Sequence, residues 1–167
     1  NKNPTGLNSN YIIRLVQGNI PQKEKWAPQF RLRNIEKYIA LSKIEDAQHS
    51  QKSISKKPNL VIWPETAIPA LIANDDKLRN WIGHFLKRDM HLITGAPSLS
   101  KTNTNQPLNS VFVLTAEGHI THRYDKAHLV PFGEYVPFRG WLPFPKLVTK
   151  FPDFKAGPSL TSIKLPT

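Results

Sequence analysis

Glu65 and Lys126 are the two residues of this chain whose types suit chemistry best, and 61 positions separate them. A glutamate beside a partly buried lysine can act as a general base, because the cation keeps it ionised. The lysine, held charged, can stabilise an oxyanion forming on a carbonyl. Such a pair lacks a nucleophile, and a cysteine thiolate would complete it. The sequence contains no cysteine. Spacing alone also allows a solvated glutamate at a strand end and a surface lysine in the charged run Arg123 to Lys126.

The elements that must position the pair can be read from the pattern around it. Leu60-Val61-Ile62-Trp63 is a continuous apolar run and predicts a strand buried on both faces. Pro64 cannot donate to a sheet ladder, so the strand is expected to end there. Glu65 then sits just past the carboxyl end of a central strand, where α/β folds keep their chemistry. Lys126 lies near the start of an irregular stretch, residues 124–137, that fits neither helix nor strand period. Irregular segments with aromatic residues are often shaped functional loops.

The remaining chain supplies a frame. Residues 1–9 read as a polar linker, with residues 10–167 as the domain. A first strand is predicted from Tyr11 to Val16, left through Gly18 and Pro21. A helical stripe follows from Trp26, using Phe30, Ile35, Tyr38, Ile39, Leu41 and Ile44. Residues 48–58 form a lysine-rich loop. Asn74 or Asp75 caps a second helix that buries Leu78, Trp81, Ile82, Phe85 and Leu86. His91 to Ala96 reads as a short strand ending at Gly95, and residues 98–108 as a loop. Residues 109–115 and 119–124 form a hairpin around Ala116-Glu117-Gly118. A last strand is expected at residues 160–165. Helices between the early strands and a later hairpin predict a mixed α/β sheet.

Composition narrows the function classes. With 167 residues, 39% hydrophobic and 21% charged, the chain is globular rather than disordered. No apolar run approaches the roughly 18–20 residues that cross a bilayer. The 23 Lys and Arg exceed the 12 Asp and Glu to give +11, which favours anionic partners such as lipid head groups. No RNA-binding motif or basic amphipathic helix accompanies that charge, so nucleic acid is not expected. The six histidines show no metal spacing, and neither a metal nor a cofactor is predicted.

Trp63-Pro64-Glu65-Thr66-Ala67-Ile68-Pro69 and Tyr124-Asp125-Lys126, continued by Pro131-Phe132-Gly133-Glu134-Tyr135-Val136-Pro137, resemble motifs of the nitrilase superfamily. Within it they resemble the extracytoplasmic domain of the apolipoprotein N-acyltransferase family. Gln17-Gly18-Asn19-Ile20-Pro21-Gln22 with Trp26 is similar to that family's first active-site loop, and Asn109-Ser110 to a later core strand. The resemblance runs in order over nearly the whole chain. It implies a nitrilase-like α-β-β-α sandwich, here C-terminally truncated, and a Glu-Lys-Cys triad. Glu65 would be the general base, Lys126 the oxyanion stabiliser and Glu134 the second glutamate orienting the site. Trp26, Tyr135 and Pro137 would shape the substrate pocket.

The implied reaction moves an acyl chain from a phospholipid to a cysteine thioester. It then passes to the amino group of a diacylglyceryl-modified lipoprotein. The family works at the bacterial inner membrane with this domain on the periplasmic side, held by segments outside this chain. The missing cysteine is the departure, and the resemblance implies a nucleophile beyond Thr167. The 167 residues alone are expected to be inactive. A soluble amidase of the same superfamily and a non-enzymatic basic binding module are the alternatives.

Overall fold

A computed structural model describes residues 12–44, 58–100, 106–138 and 153–164. The expected linker at residues 1–9, Tyr11, most of the lysine-rich loop and Leu165 lie outside the described residues. Strands β1 (Ile13–Leu15), β2 (Leu60–Ile62), β3 (His91–Leu99), β4 (Pro107–Leu114) and β5 (Ile120–Asp125) form one sheet in sequence order. The first three are mutually parallel, and the last three antiparallel. Helix α1 (Gln22–Lys25) and α2 (Arg31–Lys43) lie between β1 and β2, and α3 (Asp76–Gly83) lies between β2 and β3. This is the mixed α/β sheet that the sequence order predicts.

Register and strand alternation sort the side chains onto two faces. Val61, Leu92 and Leu114 are successive partners across the sheet and share a face with Phe112. Ile35 and Tyr38 from α2 and Ile82 from α3 close over them in a single core. Burying each such side chain contributes about 1.5–3 kcal/mol. The opposite face is less covered at the β1 edge, where Leu15 is 76% exposed.

Trp63 ties the end of β2 into this core. Its ring stacks between Tyr38, 5.2 Å away, and Phe85, 5.6 Å away. Its indole N–H donates to Ser42 Oγ at 2.9 Å, and Ser42 Oγ in turn donates to Tyr38 O at 2.7 Å. A buried tryptophan with its N–H satisfied is a firm anchor. Asp75, the expected cap, accepts from Leu78 N at 2.9 Å.

Four expectations need correction. β3 does not stop at Gly95 but runs through Pro97 to Leu99. β2 leaves β3 after the Ile62–Ile93 pair, so Pro97 lies where β3 has a ladder partner on the β4 side alone. The expected loop at residues 98–108 is therefore shorter at both ends, because β4 begins at Pro107. Residues 160–164 form no strand, having no described strand beside them, and Leu160 is 72% exposed. Trp81 and Ile44 are exposed rather than buried. Trp81 sits at the margin of the α3 stripe, and Ile44 lies past the end of α2. Buried Asn34 and Ser42 occupy the inner face of α2 instead.

Candidate active site

The site is built at the end of β2 and the neighbouring ends of β4 and β5. After Trp63 the chain leaves β2 and crosses β3 at Gly95. Gly95 N donates to Pro64 O at 3.3 Å, and Ile68 N donates to Gly95 O at 3.1 Å. The approach is so close that a Cβ on Gly95 would lie 2.3 Å from Thr66 N and 2.7 Å from Glu65 Cα. Glycine is required there because no side chain fits between the two backbones. Thr66 completes the turn with φ 52°, a left-handed conformation that is uncommon for a β-branched residue.

Glu65 thereby reaches Lys126. Lys126 Nζ donates to Glu65 Oε1 at 2.9 Å and pairs with Glu134 Oε2 at 3.0 Å. Asn109, one strand over, donates from Nδ2 to both Glu65 Oε1 and Glu134 Oε1, the latter at 2.6 Å. The backbone beneath is locked as well, since Lys126 N donates to Asn109 O at 2.8 Å. Lys25, at the end of α1, donates to the Glu65 carbonyl at 3.1 Å. The structure thus brings together the three residues expected to carry chemistry, Glu65, Lys126 and Glu134.

The irregular stretch after β5 holds Glu134. Its Oε2 accepts from Val130 N at 2.7 Å, and its carbonyl accepts from Phe154 N at 2.9 Å. Tyr135 follows it directly, and its carbonyl accepts from Phe132 N at 2.7 Å. Pro137 is half-buried two residues further on. Trp26 follows Lys25 and so stands in the loop that reaches Glu65 from the other side. Val130, Phe132 and Phe138 on the same stretch are exposed, Phe138 by 77%.

Electrostatics keep the pair ionised. Burial opposes the charge on Glu65. Hydrogen bonds from Lys126 and Asn109, and the charges of Lys126 and Lys25, outweigh it and hold its pKa below the ordinary glutamate range. Burial likewise opposes the charge on Lys126, but hydrogen bonds to Glu65 and Glu134 and their charges raise its pKa. Lys25 moves the other way, because burial lowers its pKa more than Glu65 raises it. Among the described residues no group of three His, Asp or Glu could hold a metal ion.

Sequence reasoning used Asn109 for the resemblance of a strand and missed its bridge between the two glutamates. It also missed Lys25, which read as one basic residue among many, and Gly95, which read as a strand end. Asn109 and Ser110, the polar pair ahead of an apolar strand run, were the available signal.

The profile of the carbon-nitrogen hydrolase family matches residues 12–155. The chain belongs to that family. An apolipoprotein N-acyltransferase of Geobacter metallireducens is 35% identical over 158 residues, covering 92% of this chain and 29% of that protein. One from Rhodopseudomonas palustris is 30% identical over 171 residues, covering 98% of this chain and 31% of that protein. The chain therefore spans under a third of the length of these curated relatives.

Among solved structures, an amidase from Nesterenkonia sp. AN1 superposes with a TM-score of 0.50 at 16% identity. The match covers 90% of this chain and 49% of that chain. That amidase was captured with an acetamide moiety on its active-site cysteine. At this identity the likeness concerns the fold, and it agrees with the nitrilase-like α/β architecture of a carbon-nitrogen hydrolase. Among the described residues that architecture comprises one five-stranded sheet with its helices.

Proposed function

We propose that this chain carries the glutamate and lysine of an acyl-transfer site in an apolipoprotein N-acyltransferase. The nucleophilic cysteine is contributed by protein outside these 167 residues. The observation that carries the reading is the placement of Lys126 Nζ, 2.9 Å from Glu65 Oε1 and 3.0 Å from Glu134 Oε2. An ammonium has three N–H donors. Two are given to the glutamates, and the third is left for an oxyanion. Both bonds to the Glu65 carboxylate fall on Oε1, which leaves Oε2 for an incoming proton.

In the first half-reaction Glu65 takes the thiol proton as sulfur attacks the ester carbonyl of a phospholipid. Lys126 stabilises the tetrahedral oxyanion. The carbon–oxygen bond breaks, Glu65 returns the proton to the leaving alkoxide, and lysophospholipid departs. In the second, the amine of a diacylglyceryl-modified lipoprotein attacks the thioester. The amide forms, the carbon–sulfur bond breaks, and the amine proton passes through Glu65 to restore the thiol. Glu134 holds Lys126 from the far side. Trp26, Tyr135 and Pro137 shape the entrance for the acyl chain and head group.

No helix among the described residues is long and apolar enough to cross a membrane. We place the enzyme at the bacterial inner membrane through segments outside this chain, with the domain on the periplasmic side. The charge of +11 and the exposed Val130, Phe132 and Phe138 suit an anionic lipid surface.

The test is to incubate the complete protein with phospholipid and measure its intact mass. An acyl adduct that hydroxylamine removes is expected. Absence of the adduct, with ammonia released from simple amides, would assign the site to amide hydrolysis instead.

A further inference from the structure

The strongest unexplained feature lies directly behind the site, on the helix-bearing face of the sheet. Ser110 and Asp125 are register partners on β4 and β5. Ser110 Oγ donates to Asp125 Oδ1 at 2.5 Å and lies 2.6 Å from Ser98 Oγ on β3. Arg123 Nε donates to Asp125 Oδ1 at 2.7 Å, and its Nη2 to Asp125 Oδ2 at 3.1 Å and Leu99 O at 3.3 Å. Ser98 and Ser110 are at most 1% exposed. Through Ser110 and Arg123 this carboxylate links β3, β4 and β5 in one polar network.

Side chains alternate along a strand. Ser110 and Asp125 point to one face, so their chain neighbours Asn109 and Lys126 point to the other, where the glutamates are. β5 ends at Asp125, which leaves Lys126 just beyond the last full rung. The segment after residue 153 closes on the same point. Gly157 N donates to Lys126 O at 2.8 Å, and a Cβ on Gly157 would lie 2.1 Å from Asp125 O.

We propose that Asp125 is a positioning residue: by bonding Ser110 and Arg123 behind the sheet, it fixes where Lys126 presents its ammonium to Glu65 and Glu134. The catalytic consequence rests on the acyl-transfer reading above, whereas the placement of Lys126 does not. Misplacement by about 1 Å costs on the order of 10²-fold in rate. Asp125 borders an open cleft of about 500 Å³ shared with Ser100, Leu108 and Lys155. Arg123 lines the same cleft, so water can solvate it once the carboxylate is gone, Ser110 keeps Ser98 Oγ as a partner, and the variant is expected to fold.

The experiment compares Asp125→Ala, Asp125→Asn and Ser110→Ala in the complete protein. Two quantities are read: the single-turnover rate of thioester formation per folded molecule, and the labelling of Lys126 by an amine-reactive reagent. Asp125→Ala is expected to lower the maximal rate on the order of 10²-fold, with the half-saturating phospholipid concentration unchanged. Asp125→Asn, whose amide oxygen still accepts from Ser110, should recover most of the loss. Labelling of Lys126 should rise in Asp125→Ala, as the ammonium leaves its glutamates, and return in Asp125→Asn.

Wild-type labelling of Lys126 in Asp125→Ala would overturn the proposal, whatever the activity. So would a wild-type rate per folded molecule, or an asparagine variant no better than alanine. If Asp125→Ala fails to fold, Ser110→Ala removes the same bond from the other side and decides by the same two readouts. A wild-type protein that forms no thioester would remove the acyl-transfer reading, and the labelling comparison would still judge the role of Asp125.

Discussion

Two glutamates flank one lysine, and the regions that carry them are built in opposite ways. Glu134 lies in the loop after β5 with its side chain 11% exposed, and Asn109, Lys126 and Val130 N occupy both of its oxygens. Glu65 lies on the turn after β2 with its side chain 58% exposed, and its two bonds converge on one oxygen. A carboxylate whose acceptor sites are filled holds a neighbour in place. One with an open oxygen facing solvent can receive a proton. On the proposed acyl-transfer reading, anchoring falls to Glu134 and proton transfer to Glu65, although both residues are the same amino acid bonded to the same lysine.

Neutralising each glutamate in turn tests that division, and the first gives the largest effect expected. Glu65→Gln should reduce thioester formation to background, a loss of at least 10²–10⁴-fold typical of a missing general base. Its stability should barely move, because exposed ion pairs contribute about 0–1 kcal/mol. Glu134→Ala should lower stability by about 2 kcal/mol, the worth of a hydrogen bond to a charged group. Its rate should fall less than that of Glu65→Gln. Thermal unfolding and single-turnover rates measured on both variants check this. Equal rate losses with equal stabilities would abolish the distinction.

The turn that carries Glu65 can be broken without touching its carboxylate. Gly95→Ala places a Cβ within 2.3 Å of Thr66 N, so one of two backbones must move. Overpacking of this kind costs about 1–3 kcal/mol. The rate is expected to fall by more than that stability loss explains, because Glu65 moves with the turn. A wild-type rate in a destabilised Gly95→Ala protein would mean that the turn does not position the base. The Glu134 loop provides the contrast. At Gly133 a Cβ would meet Val130 no closer than 3.5 Å, so Gly133→Ala should leave both quantities nearly unchanged.

How much of this was legible in the sequence follows from how local each signal is. Pro64 ends β2 because of its own missing donor, and Glu65 follows from that. The hairpin of β4 and β5 turns at Gly118 with φ 76°, which its glycine announced. Gly95 misled for the same local reason. Glycine often stops a strand, but here it admits a crossing backbone, and β3 runs on past it. The bridge made by Asn109 and the lock behind Lys126 depend on which strands become neighbours. That is fixed by topology rather than by any nearby residue, so no spacing rule could reveal them.

The charges around Glu65 give a pH dependence with a definite sign. Its pKa is held below the ordinary value, so Glu65 stays ionised until the pH falls below the usual glutamate range near 4.3. The stability it contributes is present above its unfolded pKa and is lost as pH falls through the lower folded one. Lys126 shows the mirror case. Its contribution is present below its unfolded pKa and fades as pH rises through the raised folded value. Lys25→Met removes one of the cations acting on Glu65, so the acid limb of the rate profile should move to higher pH. An acid limb that stays in place would mean that Lys25 does not help set the charge of Glu65.

The smallest expected effect on activity is the control that gives the others meaning. Asp75 caps α3 from an exposed position by accepting from Leu78 N at 2.9 Å. Asp75→Ala should cost about 1 kcal/mol. That lies within the range expected for Gly95→Ala. The rate per folded molecule should nevertheless match wild type, because α3 contributes no atom to the pair of Glu65 and Lys126. If Asp75→Ala slows thioester formation as Gly95→Ala does, any loss of stability reaches the site through the shared core. The special role assigned to the turn after β2 would then dissolve into general loosening. If it does not, the rate loss at Gly95 belongs to the geometry of that turn, and the open oxygen of Glu65 depends on it.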